Sequence, residues 1–201
     1  NSYYTAEEVE DASGIIDGDN LFFINRFSVV SRIVARLPYV ESVEITRYLP
    51  NKVVITISES QALACVSYDG EPWVIDRSCR MLTQASAANA ASLIEVRGIT
   101  PLTAEVGETG PDDTGKLEYL CAILDQLQER GMAADVGYID MTNINSPSFS
   151  YLGRFIVKLG SFEETEYRFG KLLSAVSQLV DGDRGTIDVS PEGAQTVFSP
   201  F

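Results

Sequence analysis

Asp76, Glu95, Asp140 and Asp188 are acids that lie inside or beside runs of strand-forming residues, near turns. Two carboxylates held about 5–10 Å apart across a cleft could hydrolyse a glycosidic bond, one as acid and the other as base or nucleophile. Nothing in the spacing of these four gathers such a pair, and scattered acids on an acidic chain are usually solvated surface groups. Histidine is absent, so no Ser-His-Asp or Cys-His arrangement can be built within the chain. The cysteines Cys65, Cys79 and Cys121 are widely spaced and form no CxxC pair, which argues against a zinc centre. Their odd number argues against a full disulfide framework. Cys65 and Cys79 flank a hairpin but do not face each other if its turn centres on residues 69–72, although the spacing does not exclude a bridge. All three suit small buried apolar positions, Cys121 especially. The glycines of 107–110 follow no strand and open no phosphate-binding motif, so that stretch reads as loop. The expectation is a chain with no catalytic residue, no metal and no cofactor.

The 201 residues are 45% hydrophobic and 22% charged, a globular balance that suits one or two domains. A net charge of −14 repels phosphate backbones, so nucleic acid is not an expected partner, and the chain offers no polybasic anchor for anionic lipid. No run approaches the roughly 20 apolar residues that span a bilayer. The first residues are Asn-Ser-Tyr-Tyr, with neither Met nor a signal-peptide pattern, which suggests part of a longer protein.

The elements alternate between helical and strand periods. Thr5 and Glu8 form a capping box for a short helix with Val9 and Ala12 on its apolar face, and Gly14 stops it. After a turn at residues 18–20, Asn25 or Ser28 starts a second helix whose predicted buried face is Phe27, Val30, Ile33, Val34 and Leu37. Pro38 ends it. Residues 43–48 and 53–58 then alternate apolar and polar on either side of a Leu49-Pro50 turn, predicting an antiparallel hairpin that covers both helices. A second hairpin turns at Asp69-Gly70, with Trp73 packing on its sheet.

Residues 84–92 read as a connector or weak helix, 93–96 as a strand and 98–115 as a loop. Further along, 116–130 is a helix with Leu117, Leu120, Cys121, Leu124 and Leu127 in its stripe, and 136–141 is a strand. Residues 149–159 hold another strand. The last long helix, 163–180, has Tyr167, Leu172, Leu173, Val176 and Leu179 apolar, and Glu163, Glu164 and Glu166 complement its dipole. Two short strands, 186–190 and 195–198, close the chain. The fold class is α+β: two helices on a small sheet over residues 1–60, then a mostly antiparallel β domain with two long helices over 61–201.

Several runs together resemble the FtsQ/DivIB bacterial cell-division proteins of Gram-positive type. They are GDNLFFIN from Gly18 to Asn25, LPYV from Leu37 to Val40, VEITRYLP from Val43 to Pro50 and VVITISE from Val53 to Glu59 followed by Ala64. VID from Val74 to Asp76, VKLG from Val157 to Gly160, KLL from Lys171 to Leu173, GTIDVS from Gly185 to Ser190 and FSP from Phe198 to Pro200 complete the set. The family usually has a glycine three residues after the aspartate of VID, and Cys79 stands there instead, which puts that turn in question.

The resemblance implies that residues 1–60 form a POTRA-like domain and that the chain is a non-enzymatic scaffold at the division septum, anchored to the cell membrane by a single span before Asn1. It implies as partners the small coiled-coil proteins FtsB/DivIC and FtsL, linking them to septal peptidoglycan synthesis. It further implies that a partner adds a strand along Gln195, Thr196, Val197, Phe198 and Ser199 and touches Lys171 and Ser174 on the preceding helix. A closing strand with unpaired N–H and C=O groups suits such an addition, though Val197 and Phe198 could equally pack inward. Arg168 and Lys171 are cations that could meet an acidic partner or lie free on the helix surface. The runner-up is a POTRA-type chaperone or translocation module that binds polypeptides by the same edge pairing.

Overall fold

A computed structural model describes residues 3–101, 104–107, 115–193 and 195–201. The glycine-rich residues 108–110, read above as loop, lie outside these. The chain separates into two compact units, Asn1–Gln61 and Ala62–Phe201.

The first unit holds α1 (Ala6–Ser13), α2 (Arg26–Arg36), β1 (Val40–Tyr48) and β2 (Lys52–Glu59). The Thr5 hydroxyl accepts from the Glu8 amide at 3.3 Å and the Glu8 carboxylate accepts from the Thr5 amide at 2.8 Å, so the capping box forms as the sequence indicates. The Asn25 side chain accepts from the amides of Phe27 and Ser28 and caps α2. β1 and β2 pair antiparallel from Val43↔Ile57 to Tyr48↔Lys52 across the Leu49-Pro50 turn. The unit's core is Val9, Ala12, Val29, Ile33, Leu37, Val40 and Ile45, with Val43, Val53, Ile55 and Ile57 packed against it.

One expected face of α2 is rotated. Phe27 is 87% exposed, whereas Val29 and Ile33 are buried. Val29, Ile33 and Leu37 succeed one another at i+4 and fall on one side of the cylinder, while Phe27 lies well round from them. The i+3 step from Phe27 to Val30 had placed the phenylalanine on that face.

The second unit is a nine-stranded sheet with the order β11-β10-β9-β8-β7-β6-β3-β4-β5. Its strands are β3 (Ala64–Tyr68), β4 (Glu71–Ile75), β5 (Met81–Gln84), β6 (Ile94–Arg97), β7 (Tyr138–Asp140), β8 (Ser148–Tyr151), β9 (Phe155–Lys158), β10 (Gly185–Asp188) and β11 (Val197–Pro200). The short α3 (Ala87–Ala90) and the long α4 (Lys116–Glu129) and α5 (Thr165–Val176) accompany it. Five neighbouring pairs are antiparallel; β3–β6, β6–β7 and β9–β10 are parallel. Asp69 and Gly70, both at positive φ, make the two-residue β3–β4 turn.

Several readings change here. Residues 149–159 are two strands joined by a three-residue turn, Leu152-Gly153-Arg154, whose first two residues have φ of 54° and 64°. Leucine is an unusual residue for that backbone, which hides the turn from composition. Met81–Gln84 is a strand, closing a β4–β5 hairpin. β11 begins two residues later than its propensity suggested and takes in Pro200. In α5, Tyr167 of the expected stripe is 49% exposed and Phe169 is fully buried, while Leu172 is buried as expected. The helix also starts at Thr165, so only Glu166 sits in its first turn.

The core runs through α4 and α5 onto the sheet. Leu120, Ile123, Leu124 and Leu127 of α4 and Phe169 and Leu172 of α5 are fully buried with Ile139, Phe149, Val157 and Ile187. Each such side chain contributes about 1.5–3 kcal/mol by leaving water, so these layers set the position of β10, against which the edge strand β11 is laid.

Candidate functional site

The four acids are each engaged locally. Asp76 is buried; its Oδ1 accepts from the amides of Ser78 and Arg80, both at 2.9 Å, and its Oδ2 pairs with Arg80 Nε at 3.0 Å. Glu95 meets Arg97 at 2.6 Å, and that hydrogen bond holds its carboxyl below the usual range. Asp140 accepts from the Thr142 amide at 2.9 Å, and its hydrogen bonding to Thr142 likewise keeps its acidity high. Asp188 accepts from the amide and hydroxyl of Ser190 at 2.9 and 2.6 Å. Each closes a turn or holds a cation. Among the described residues, no group of three or more acids and cysteines is placed to hold a metal ion.

The Asp76 turn answers the question raised by Cys79. The turn forms with Cys79 in the left-handed region at φ 58°, the conformation a glycine would adopt freely. The bonds to Asp76 hold it closed around the substituted residue.

A groove of about 520 Å³ runs between α5 and β11, lined by Tyr167, Lys171, Ser174, Gln178, Thr196 and Phe198 among others. The strand side is built by alternation. Phe198 turns toward the core and meets Phe155 edge-on at 6.2 Å between ring centres, while Val197 faces the other way and is 48% exposed. The Phe201 amide donates to Arg184 O at 3.1 Å. By antiparallel alternation, the main chain of Ser199 and Val197 also faces β10, and that of Phe198 and Thr196 points off the sheet. β11 is therefore an edge with outward-facing main chain.

The helix side is held by its two cations, and neither lies free on the surface. Both are buried. Arg168 Nη1 donates to Leu159 O and Ser161 O at 2.6 and 2.5 Å, and its Nη2 reaches Ser161 Oγ at 3.2 Å. Lys171 Nζ donates to Pro191 O at 2.7 Å and lies 5.9 Å from the centre of the Tyr167 ring. Loss of water, then the nearby Arg168 charge, push the Lys171 ammonium below its usual pKa. These residues pin the loops beside β9 and before β11 to α5, and so fix the groove's width.

Of the residues expected at the site, the structure brings Lys171, Ser174, Thr196 and Phe198 into one lining. Ser174 and Gln195 are exposed, and Val197 and Ser199 occupy the opposite face of β11. Tyr167 and Gln178 were missed. Tyr167 is one helical turn before Lys171, and Gln178 one turn after Ser174, so the i+4 spacing carried that signal.

A larger cleft, about 620 Å³, opens in the first unit between α1 and β2. Its walls include Val9, Val53, Ile55 and Ile57, which also pack the unit's small core.

The molecule thus pairs a compact helix-and-hairpin unit with a mixed-sheet unit whose last strand is an open edge. Residues 1–60 match the family described as POTRA domain, FtsQ-type. Along nearly the whole chain the similarity is to cell division protein DivIB. The Clostridium tetani protein is 26% identical over 205 residues, covering 98% of this chain and 76% of that protein. The Clostridium botulinum Hall protein is 26% identical over 193 residues, covering 93% and 73%. Cell division protein FtsQ of Geotalea daltonii is 33% identical over 61 residues, 30% of this chain and 22% of that protein. Residues 1–60 thus match an FtsQ-type POTRA domain, and along nearly its whole length the chain is similar to the DivIB cell-division proteins.

Proposed function

We propose that the chain is a non-enzymatic scaffold of the division septum whose second unit captures a partner by strand addition along β11. The single observation that carries this is the open edge of β11 beside the α5 groove. Main-chain groups of Phe198 and Thr196 pair with the incoming strand, and its alternate side chains settle between Tyr167, Ser174, Gln178 and Leu179. Lys171 is the groove's charged lining residue and already serves Pro191 O, so the surface suits an apolar and neutral strand with little net charge. The partners are extracytoplasmic segments of FtsB/DivIC-like and FtsL-like proteins, with FtsB/DivIC supplying the strand. The scaffold is held to the cell membrane by a single span preceding these residues. Within the described residues, no helix is long and apolar enough to cross a membrane.

The test is binding of those two partner segments to the folded protein, beside Thr196→Pro and Ser174→Trp variants. Thr196 precedes β11, so proline there removes an outward amide and leaves the β10 ladder intact. Val197→Pro would instead break that ladder. Loss of at least about tenfold in affinity in both variants, equal to about 1.4 kcal/mol, is the expected result. Unchanged binding would move the site off this edge. Equal binding of unrelated extended peptides would favour a chaperone or translocation module.

A further inference from the structure

The β4–β5 turn and α4 bring two thiols close together. Cys79 is completely buried in the turn. Its φ of 58° is a conformation that costs a non-glycine residue stability, so the position holds a sulfur where glycine would sit more easily. Its Sγ lies 3.9 Å from Leu117 O, in the first turn of α4. Cys121 follows Leu117 by one helical turn, on the same side of the helix, and is only half-buried. The Cys79 sulfur therefore sits against the helical turn that carries Cys121. Cys65 is elsewhere, on β3 and in register with Val74.

We propose that Cys79 and Cys121 form a redox-active pair that closes to a disulfide on meeting a disulfide oxidant. Cys121 is the entry point, because it is the more accessible sulfur. Its proximity to Cys79 lowers the pKa of its thiol, whereas burial raises that of Cys79. The Cys121 thiol gives up its proton and attacks one sulfur of the oxidant, whose other sulfur leaves as thiolate. Cys79, deprotonated in turn, then displaces the oxidant from Cys121. One S–S bond forms in the protein and one breaks in the oxidant. Two electrons and two protons pass to the oxidant, which leaves as two thiols. The product ties the Asp76 turn to α4 and closes a loop containing β5, α3 and β6.

The experiment is incubation of the native protein with excess glutathione disulfide, quenching with N-ethylmaleimide in denaturant, and intact-mass measurement. The reduced protein takes three adducts, one per cysteine. The oxidised protein is expected to take one, on Cys65, and peptide mapping should find 79 linked to 121. Cys65→Ser should keep the disulfide. Cys121→Ser and Cys79→Gly should each retain two alkylatable thiols, and glycine suits the left-handed turn, so that variant is expected to stay folded. Three adducts in the treated protein, or a lasting glutathione adduct on Cys121 with Cys79 still free, would overturn the proposal. So would loss of the disulfide in a folded Cys65→Ser variant.

Discussion

At the scale of residues, the carbonyls of 159–161 gather an unusual set of donors. Arg168 reaches Leu159 O and Ser161 O, and the Tyr119 hydroxyl donates to Gly160 O and Ser161 O at 3.1 and 3.0 Å. Tyr119 is buried, and desolvation raises its phenol above the ordinary pKa of 10.0. A group whose folded pKa is raised contributes stability that is fully present below the unfolded pKa and is lost as pH rises through the folded one. The protein should therefore lose stability above about pH 10. Tyr119→Phe should cost about 1 kcal/mol at pH 7 through the lost hydrogen bonds and flatten that alkaline loss, as urea unfolding at pH 7 and pH 10.5 would read. A variant with the parent's full alkaline slope would assign the effect to other tyrosines. None of this was legible in the sequence. Helical spacing shows Arg168 and Lys171 on one helix, but not that loop carbonyls from distant positions converge on them and draw both inward.

At the scale of elements, the edge strand depends on one glycine. A Cβ on Gly185 would lie 2.3 Å from Ser199 O, 2.8 Å from Phe198 Cε2 and 2.9 Å from Pro200 Cα. Two of those atoms are backbone of β11, so the strand itself must give way. Gly185→Ala should displace β11 while sparing the sheet from β9 inward. Amide hydrogen exchange should accelerate across 197–200 and stay protected in α4, and partner binding should fall with it. Unchanged protection at 197–200 would show that the strand tolerates the methyl group. Sequence reading reached this edge because the GTIDVS run and the closing apolar residues mark two short strands. It placed β11 two residues early because Ser199 and Pro200 lack strand propensity, and the close approach to Gly185 leaves no trace in propensity. Hairpins whose turns use Asp-Gly or Leu-Pro were readable; the Leu152-Gly153 hairpin was not, since its first turn residue carries a side chain that avoids positive φ.

At the scale of the molecule, the two units have unequal means of support. Among the described residues, the first has seven buried apolar core residues and a two-stranded sheet, against twenty-seven in the main core of the second. A domain of about 60 residues buries a smaller fraction of its surface than a larger one and is correspondingly marginal. A two-stranded hairpin needs helices against it to persist in water, and here the packing of Val29 and Ile33 supplies that support. Among the described residues, the two cores share none. Heating should therefore give two transitions, the first unit melting below the second, and a fragment of residues 62–201 should reproduce the upper transition alone. If the partner strand docks on β11, that fragment should also retain the parent's affinity for the FtsB/DivIC-like segment. Calorimetry of the whole chain and the fragment decides the first point, and titration of the fragment the second. A single transition for the whole chain, with an unfolded fragment, would mean that the first unit stabilises the sheet. A folded fragment that has lost binding would instead place part of the partner's contact on residues 1–61.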